Sequence, residues 1–185
     1  MTECLGVVLA GGLSSRMGSD KANLQLGQQT LLERATTLLK DCGLRKVVIS
    51  GKEQISDLHE QQGPVGGIYS VLEQCRPSSM LIVPVDLPLL TTTDVSQLKT
   101  IGELSKKAIY FKNHSLPLYL PINGFVENFF AKPCLFIQEK GPSIRMMLEQ
   151  IPNQAINITH AESLTNVNTP SQWQQIQTHF NDKRI

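Results

Sequence analysis

The sequence has almost no net charge, no long apolar run and no basic leader, and each absence argues against a class of protein. The formal net charge is +1 over 185 residues, whereas dedicated nucleic-acid binders usually carry a strong basic excess. No apolar run approaches the roughly 20 residues that a membrane-spanning helix needs. The start, Met1-Thr2-Glu3-Cys4, lacks the basic stretch of a signal peptide. These features predict a cytoplasmic protein without a nucleic-acid or membrane partner.

Cysteines and histidines are also few and scattered. The four cysteines are Cys4, Cys42, Cys75 and Cys134, and the four histidines are His59, His114, His160 and His179. No two cysteines form the C-x-x-C pair of a zinc site or redox couple, and the histidine spacing indicates no zinc site either. Most of the cysteines stand within apolar patterns, which predicts reduced thiols buried in the core.

What the sequence does contain is an alternation of strand and helix patterns. Continuously apolar or β-branched segments predict strands at 4–10, 46–50, 80–85, 108–111, 116–120 and 155–158. Apolar residues at helical spacing, together with capping signals, predict helices over 30–42, 68–75, 125–130 and 143–151, and others starting near 91 and 170. This order predicts one α/β domain spanning 1–185, with a mostly parallel twisted sheet and helices on both faces.

The loop after the first strand has the composition of a phosphate-binding loop. In an open α/β sheet, ligands bind beyond the carboxyl ends of the strands, where this loop begins. Gly11 and Gly12 let the backbone approach a ligand closely and expose its N–H groups. Arg16 and Lys21 place fixed positive charge beside them. The combination suits a triphosphate, whose charge requires both backbone donors and cations.

Two common phosphate-binding motifs do not fit this loop. Leu13 stands where the dinucleotide fingerprint has its second glycine. Five residues separate Gly12 from Gly18, where a P-loop has four. The sequence therefore supports neither a dinucleotide cofactor nor a P-loop mechanism. The alternative interpretation is that Gly11-Gly12 is only a turn at the end of a strand.

The run L-A-G-G-L-S-S-R-M-G-S-D-K over 9–21 resembles the L-A-G-G-x-S-x-R-M-G-x-D-K signature of the molybdenum cofactor guanylyltransferases. Further motifs of that family resemble segments 63–67, 83–88 and 166–170, which read G-P-V-G-G, V-P-V-D-L-P and N-V-N-T-P. The resemblance implies a Rossmann-like nucleotidyltransferase fold. It also implies the transfer of GMP from GTP to molybdopterin, the metal-free or molybdenum-bound pterin cofactor, with release of pyrophosphate.

The resemblance assigns roles to the first loop and to the third strand end. The nucleotide would lie against the backbone of four residues, Leu9, Ala10, Gly11 and Gly12. Arg16 and Lys21 would be catalytic, holding the triphosphate and steadying the departing pyrophosphate. Asp86 would bind the nucleotide's Mg²⁺ and is the one expected metal ligand. Its alternative role is to cap a turn with Pro88.

The remaining expected site residues rest on shorter motifs. Gly66 and Gly67 would permit close approach to the base or ribose, or they would only begin a helix. The family's second nucleotide-contacting aspartate usually precedes this loop, and Asp57 is the candidate here. Segment 50–63 is shorter than in the usual family member, as though a helix and a strand were missing.

Three further residues are expected on the pterin side of the site: Arg145, Asn166 and Asn168. The alternatives are that Arg145 is only a solvent-exposed charge on a helix, and that the asparagines only stabilise a local turn or cap a helix.

Other activities remain open on the sequence alone. The Gly11-Gly12 pair favours guanylyl over cytidylyl transfer by resemblance. A nucleotidyltransferase acting on a sugar phosphate would usually carry a longer G-x-R-L-x-P-x-T run. A nucleotide-binding protein without transferase activity is the third alternative, supported by the shortened segment. Transient contact with molybdenum-insertion and acceptor-enzyme proteins is expected because molybdopterin is labile.

Overall fold

The computed structural model describes residues 3–11, 21–51, 54–59, 62–133, 135–137 and 141–182. The strands are β1 (Cys4–Leu9), β2 (Gln25–Leu26), β3 (Gln29–Thr30), β4 (Val47–Ser50), β5 (Ser79–Pro84), β6 (Ala108–Phe111), β7 (Leu118–Pro121) and β8 (Asn153–Ile156). The α-helices are α1 (Leu31–Asp41), α2 (Gly63–Cys75), α3 (Thr92–Ser105), α4 (Gly124–Phe130), α5 (Ile144–Leu148) and α6 (Pro170–Asp182). Short 3-10 helices span Lys21–Asn23 and Ala161–Leu164.

Six strands form one sheet in the order β4-β1-β5-β7-β6-β8, and β2 pairs with β3 in a separate small hairpin. The contacts β4–β1, β1–β5 and β6–β8 are parallel, and β7 runs antiparallel to both of its neighbours. The predicted mostly parallel sheet is therefore confirmed. Among the described residues, no helix is long and apolar enough to span a bilayer.

Hydrophobic cores lie on both faces of this sheet. Successive strand residues point to opposite faces, so Val7 of β1 belongs to the core that includes residues of α2, α4 and α5, while Val8 belongs to the core that includes residues of α1 and α3. Both valines are fully buried. This two-sided burial explains why the first strand reads as an uninterrupted apolar run.

The predicted helix starts at Thr30 and Thr91 are confirmed in detail. The Thr30 hydroxyl accepts a hydrogen bond from the Glu33 N–H at 3.1 Å, and the Thr30 N–H donates to the Glu33 carboxylate at 2.8 Å. Thr91 and Asp94 form the same reciprocal box at the start of α3. Such boxes satisfy two otherwise unpaired backbone donors of the first helical turn.

The structure corrects the boundaries of several elements. Segment 63–67 was predicted as a loop, but α2 begins at Gly63, because Pro64 is compatible with a first helical turn. Helix α5 spans five residues rather than the predicted 143–151, and β8 begins at Asn153 rather than 155. The Asn153 amide donates to the carbonyls of Leu148 and Ile151, which closes the turn between these two elements.

The cysteines are less buried than predicted. Cys4, Cys42 and Cys75 are free thiols of intermediate exposure, and Cys134 lies outside the described residues. Burial is nevertheless sufficient to raise the pKa of the Cys4 and Cys42 thiols above the usual value. Raised thiol pKa values leave less reactive thiolate at neutral pH, in keeping with a structural role.

A third, smaller core fixes the chain around the predicted site. It contains Leu26, Leu31, Val167 and Ile176, with Leu24, Leu89, Trp173 and Phe180 packed against them. These residues come from the β2–β3 hairpin and α1, from the loop after β5, from the segment before α6, and from α6 itself. The C-terminal helix is thereby anchored to the segments that follow Lys21 and Asp86.

A substitution at Gly102 tests how α3 packs on β7. A Cβ at this position would lie 2.0 Å from Cδ1 of Tyr119, a side chain that is only 3% exposed. Alanine usually stabilises a helix interior relative to glycine. Here we expect Gly102→Ala to lower the free energy of unfolding by about 1–3 kcal/mol, because the core becomes overpacked. Denaturant unfolding measures the change.

Gly124 in α4 provides the matched control, since a Cβ there would meet no atom within 4 Å. We expect Gly124→Ala to be neutral or stabilising. Adding Tyr119→Leu to Gly102→Ala should recover part of the lost stability. Equal stabilities for the two alanine variants would contradict the close packing of α3 on β7.

Candidate active site

The carboxyl ends of three parallel strands meet at one edge of the sheet. The Ala10 N–H donates to the Ser50 carbonyl at 3.1 Å, and the Val85 N–H donates to the Leu9 carbonyl at 3.3 Å. These bonds extend the sheet just beyond its strands, so the chain after β1 lies between the ends of β4 and β5. The expected nucleotide residues Leu9, Ala10 and Gly11 therefore occupy the centre of this edge, while Gly12 and Arg16 lie outside the described residues.

The chain after β4 folds back beside the first loop. The Gly51 N–H donates to the Ile55 carbonyl at 2.9 Å, and the Ile55 N–H donates to the Ile49 carbonyl at 3.0 Å. Gly51 has φ +127°, and a Cβ on it would lie 3.1 Å from the Gly11 nitrogen. A glycine is thus required where the two backbones approach each other.

This fold-back brings Asp57 to the first loop. Its Oδ2 lies 3.8 Å from the position that a Cβ on Gly11 would occupy. Beyond β4, the described part of segment 50–63 adds one isolated parallel bridge, between Ser50 and Ile55. The short connection therefore still places a carboxylate beside the expected nucleotide loop.

A lysine, an aspartate and an asparagine gather at the same edge. The Lys21 ammonium donates to the Asn168 amide oxygen at 2.6 Å, across 147 positions of sequence. Burial raises the pKa of the Asp86 carboxyl above its usual value, while the positive charge of Lys21 and a backbone hydrogen bond lower it. The Lys21–Asn168 bond and the bond of the neighbouring Val167 N–H to the Asp86 carbonyl place the two charged groups in one site.

Backbone contacts hold these three groups in place. Lys21 begins a 3-10 helix whose next residue, Ala22, is buried. The Val167 N–H donates to the Asp86 carbonyl at 2.9 Å, which ties the segment before α6 to the end of β5. The Gln172 side-chain oxygen accepts from the Thr169 N–H at 3.1 Å, and the Thr169 hydroxyl accepts from the Gln172 N–H at 3.3 Å, which forms a capping box at the start of α6. Three distant parts of the chain thus converge on this site.

The donor set fits a hard divalent cation that is shared with a substrate. Among the described residues, no group of three or more His, Cys, Asp or Glu side chains is placed to enclose a metal. Asp86 offers a half-buried carboxylate at the strand end, next to a loop suited to phosphate. Mg²⁺ needs few protein ligands when phosphate oxygens and water supply the others.

Gly66 and Gly67 are buried within α2, facing protein atoms. A Cβ on Gly67 would lie 2.6 Å from the Ser50 hydroxyl oxygen, and one on Gly66 would lie 2.7 Å from the Gln62 Cβ. The missing side chain of Gly67 thus allows α2 to pack closely on the ends of β1 and β4, and that of Gly66 leaves room for the capping residue Gln62. This contact supports the helix-packing interpretation, and a direct role toward base or ribose stays a prediction.

Two of the expected pterin-side residues are exposed. The Arg145 side chain is 84% exposed and pairs with Glu149 of its own helix at 3.2 Å, which supports the interpretation as a solvated helix charge. Asn166 is also exposed. Asn168, by contrast, is partly buried and contacts Lys21. The structure therefore separates the two asparagines of one motif.

Sequence reasoning missed the pairing of Lys21 with Asn168 and the close approach at Gly51. A glycine directly after a predicted strand was the available signal for the second. The pairing of Lys21 with Asn168 had no local signal, because it joins residues from near the two ends of the chain.

The chain matches the family model described as "MobA-like NTP transferase domain" over residues 6–136, more than half of its length. It is 34% identical to the molybdenum cofactor guanylyltransferase of Xanthomonas euvesicatoria over 92% of this chain and 93% of that protein. Among solved structures, it resembles molybdopterin-guanine dinucleotide biosynthesis protein A of Archaeoglobus fulgidus, with a TM-score of 0.71 and 18% identity over 96% of this chain and 99% of that one.

The same fold occurs in the 2-C-methyl-D-erythritol 4-phosphate cytidylyltransferase of Thermus thermophilus, with a TM-score of 0.66 and 13% identity over 98% of this chain and 100% of that one. The predicted nucleotidyltransferase fold is therefore confirmed. The fold alone does not select among these activities, whereas the family match and the sequence identity do. The chain belongs to the MobA-like NTP transferases and, as its motifs predicted, to their molybdenum cofactor guanylyltransferases.

Proposed function

We propose that the chain transfers GMP from GTP to molybdopterin in a Mg²⁺-dependent reaction. A terminal phosphate oxygen of the pterin attacks the α-phosphorus of GTP. The bond to the bridging oxygen breaks, and pyrophosphate leaves with the electron pair. The observation that best supports this proposal is that Lys21, Asp86 and Asn168 come together at the edge of the sheet where β1 and β5 end, in a chain of this family.

The proposed chemistry needs positioning and charge neutralisation more than a covalent partner. Asp86 would hold Mg²⁺, which when bound neutralises phosphate charge. Lys21 would stabilise the triphosphate and then the departing pyrophosphate, together with Arg16. The hydrogen bond of its ammonium group to Asn168 supports this role, because it fixes a cation at the edge of the sheet where the phosphates would lie.

Asp57 is proposed to act on the base. Its carboxylate lies near Gly11, where the backbone of Leu9 to Gly11 would line the nucleotide. Guanine presents neighbouring ring N–H and amino donors, which a carboxylate accepts well. Cytosine presents only an amino donor beside acceptors. The placement of Asp57 therefore favours guanine.

Nucleotide binding is tested first by thermal unfolding with Mg²⁺ and each of GTP, CTP, ATP and UTP. A ligand at about 100 times its dissociation constant adds roughly 2.7 kcal/mol of stability. We expect the melting temperature to rise with GTP, and the preference over CTP to shrink in Asp57→Ala. Pyrophosphate release on adding molybdopterin then tests the transfer.

A preference for CTP would indicate a cytidylyltransferase instead. Pyrophosphate release with a sugar phosphate, and none with molybdopterin, would indicate the other nucleotidyltransferase alternative. GTP binding without pyrophosphate release in the presence of molybdopterin would indicate a binding protein.

We further propose that the protein works in the cytoplasm and hands its product on by transient contact. Molybdenum-insertion proteins and acceptor enzymes are the expected partners, because a labile pterin benefits from direct transfer. Cross-linking in the presence of the pterin product tests this contact.

A further inference from the structure

We propose that Asn168 is a positioning residue for Lys21, so that its effect on the reaction passes through the lysine rather than through the pterin. This assignment rests on the proposed function and changes the role expected for Asn168 from the sequence. Its amide oxygen fixes the Lys21 ammonium at the phosphate side of the site, independently of the charge on Asp86.

The contact itself is short and directional. The Lys21 Nζ lies 2.6 Å from the Asn168 Oδ1, and the pair is partly buried. An ammonium group only donates hydrogen bonds, so the amide oxygen and not the amide nitrogen must face it. A lysine side chain has a flexible four-carbon stem, and a fixed acceptor reduces the positions that its charge can occupy.

Asn168 is itself held rigidly. Its backbone N–H donates to the Gln172 side-chain oxygen at 2.8 Å, in the box that caps α6. The preceding residue, Val167, is fully buried and donates its N–H to the Asp86 carbonyl at 2.9 Å. The amide oxygen is therefore fixed with respect to the backbone of Asp86 and to the C-terminal helix.

A neutral acceptor suits this position better than a carboxylate would. The lysine ammonium group has three N–H donors. When one of them donates to Asn168, two remain for other acceptors such as phosphate oxygens. An amide does not cancel the lysine's positive charge and does not repel a triphosphate. When Asp86 engages a cation, Lys21 loses an attractive neighbour, but its bond to Asn168 remains available.

The test measures nucleotide binding with no pterin present. Isothermal titration with Mg²⁺ and GTP is carried out on the wild type, Asn168→Ala, Lys21→Ala and the double variant. We expect Asn168→Ala to weaken GTP binding about 5- to 30-fold, and the double variant to bind no more weakly than Lys21→Ala alone. Such non-additivity identifies residues that act as a pair.

Two comparisons separate positioning from general damage to the fold. Guanosine carries no phosphate, so its binding should be unchanged in Asn168→Ala if the asparagine acts through Lys21. Asn128→Ala, at an exposed asparagine of α4 that belongs to none of the site segments, should bind GTP as the wild type does. Asn168→Asp retains an acceptor oxygen but adds negative charge, and we expect it to weaken GTP binding as well.

The assignment is overturned if Asn168→Ala binds GTP normally and raises only the KM for molybdopterin, which would make Asn168 a pterin ligand. Additive losses in the double variant, or an equal loss for guanosine, would also overturn it. Absence of GTP binding by the wild type would instead overturn the proposed function, and this assignment with it.

Discussion

Replacing Asp86 by asparagine is expected to slow GMP transfer strongly and, in the absence of metal, to raise the melting temperature. Burial raises the pKa of this carboxyl, and Lys21 offsets the effect only in part. The raised pKa means that the stability associated with this group is fully present below its unfolded pKa of about 3.9. That stability is lost as the pH rises through the folded value. At neutral pH the wild type therefore carries the unfavourable burial of an ionised group.

Asparagine has the same shape and no charge, so it removes this cost together with the proposed metal ligand. We expect the transfer rate to fall by at least about 10²- to 10³-fold, the loss typical when charge stabilisation at a reacting phosphate is removed. The melting temperature, measured with EDTA at pH 7, is expected to rise by a few degrees, at about 2–4 °C per kcal/mol for a chain of this size. The difference from the wild type should shrink under acidic conditions, where Asp86 is protonated.

Glu73→Gln is the matched control, because Glu73 is exposed on α2. We expect it to change stability by less than about 0.5 kcal/mol and to leave transfer unaffected. If Asp86→Asn were less stable than the wild type, this would contradict the interpretation that the ionised Asp86 carboxylate lowers the stability of the fold. A normal transfer rate would contradict its role in the reaction. The two measurements are independent, so either part can fail alone.

The features that sequence predicted well are those decided by near neighbours. The capping box joins Thr30 and Glu33, which are three positions apart, and the uninterrupted apolar run of β1 directly indicates burial on both faces. The family motifs likewise marked the ends of β1 and β5, where Gly11 and Asp86 stand. In each case the physical cause and the sequence signal lie in the same short segment.

The features that sequence could not predict depend on contacts between distant segments. Gly67 stands in a Gly-Pro segment that is typical of a turn, but it lies within α2 and packs closely against Ser50 at the end of β4. The β2–β3 hairpin has only two residues in each strand and shows no alternation to detect. Asp57 reaches the first loop only because the chain folds back at Gly51.

In the site too, some features are set by local sequence and others by contacts between distant segments. Asp86 and Lys21 stand in recognisable motifs, but their common location requires the sheet to bring together the ends of β1 and β5. The placement of Asn168 requires in addition that α6 pack on the core formed by Leu26, Leu31 and Ile176. Motif similarity put both asparagines on the pterin side, whereas tertiary contact joins Asn168 to the lysine.

Lys21→Met is expected to lower kcat for GMP transfer by about 10²- to 10³-fold, with a smaller rise in the KM for GTP. Methionine keeps most of the apolar stem and removes the ammonium group. As the bond to pyrophosphate breaks, negative charge grows on the leaving group, and a fixed cation stabilises that change more than it stabilises bound GTP. Steady-state kinetics with molybdopterin in excess separates the two constants. A change in kcat reports a contact made in the transition state.

Lys107→Met is the matched control, since Lys107 is exposed just before β6, at the opposite edge of the sheet. It makes the same change in net charge, and we expect wild-type kinetics from it. Lys21→Arg should recover only part of the rate, because the guanidinium keeps the charge but has a different shape from the ammonium that Asn168 accepts. A rise in the KM for GTP with kcat unchanged would mean that Lys21 only binds the nucleotide. Unchanged kinetics in Lys21→Met would remove Lys21 from the reaction altogether.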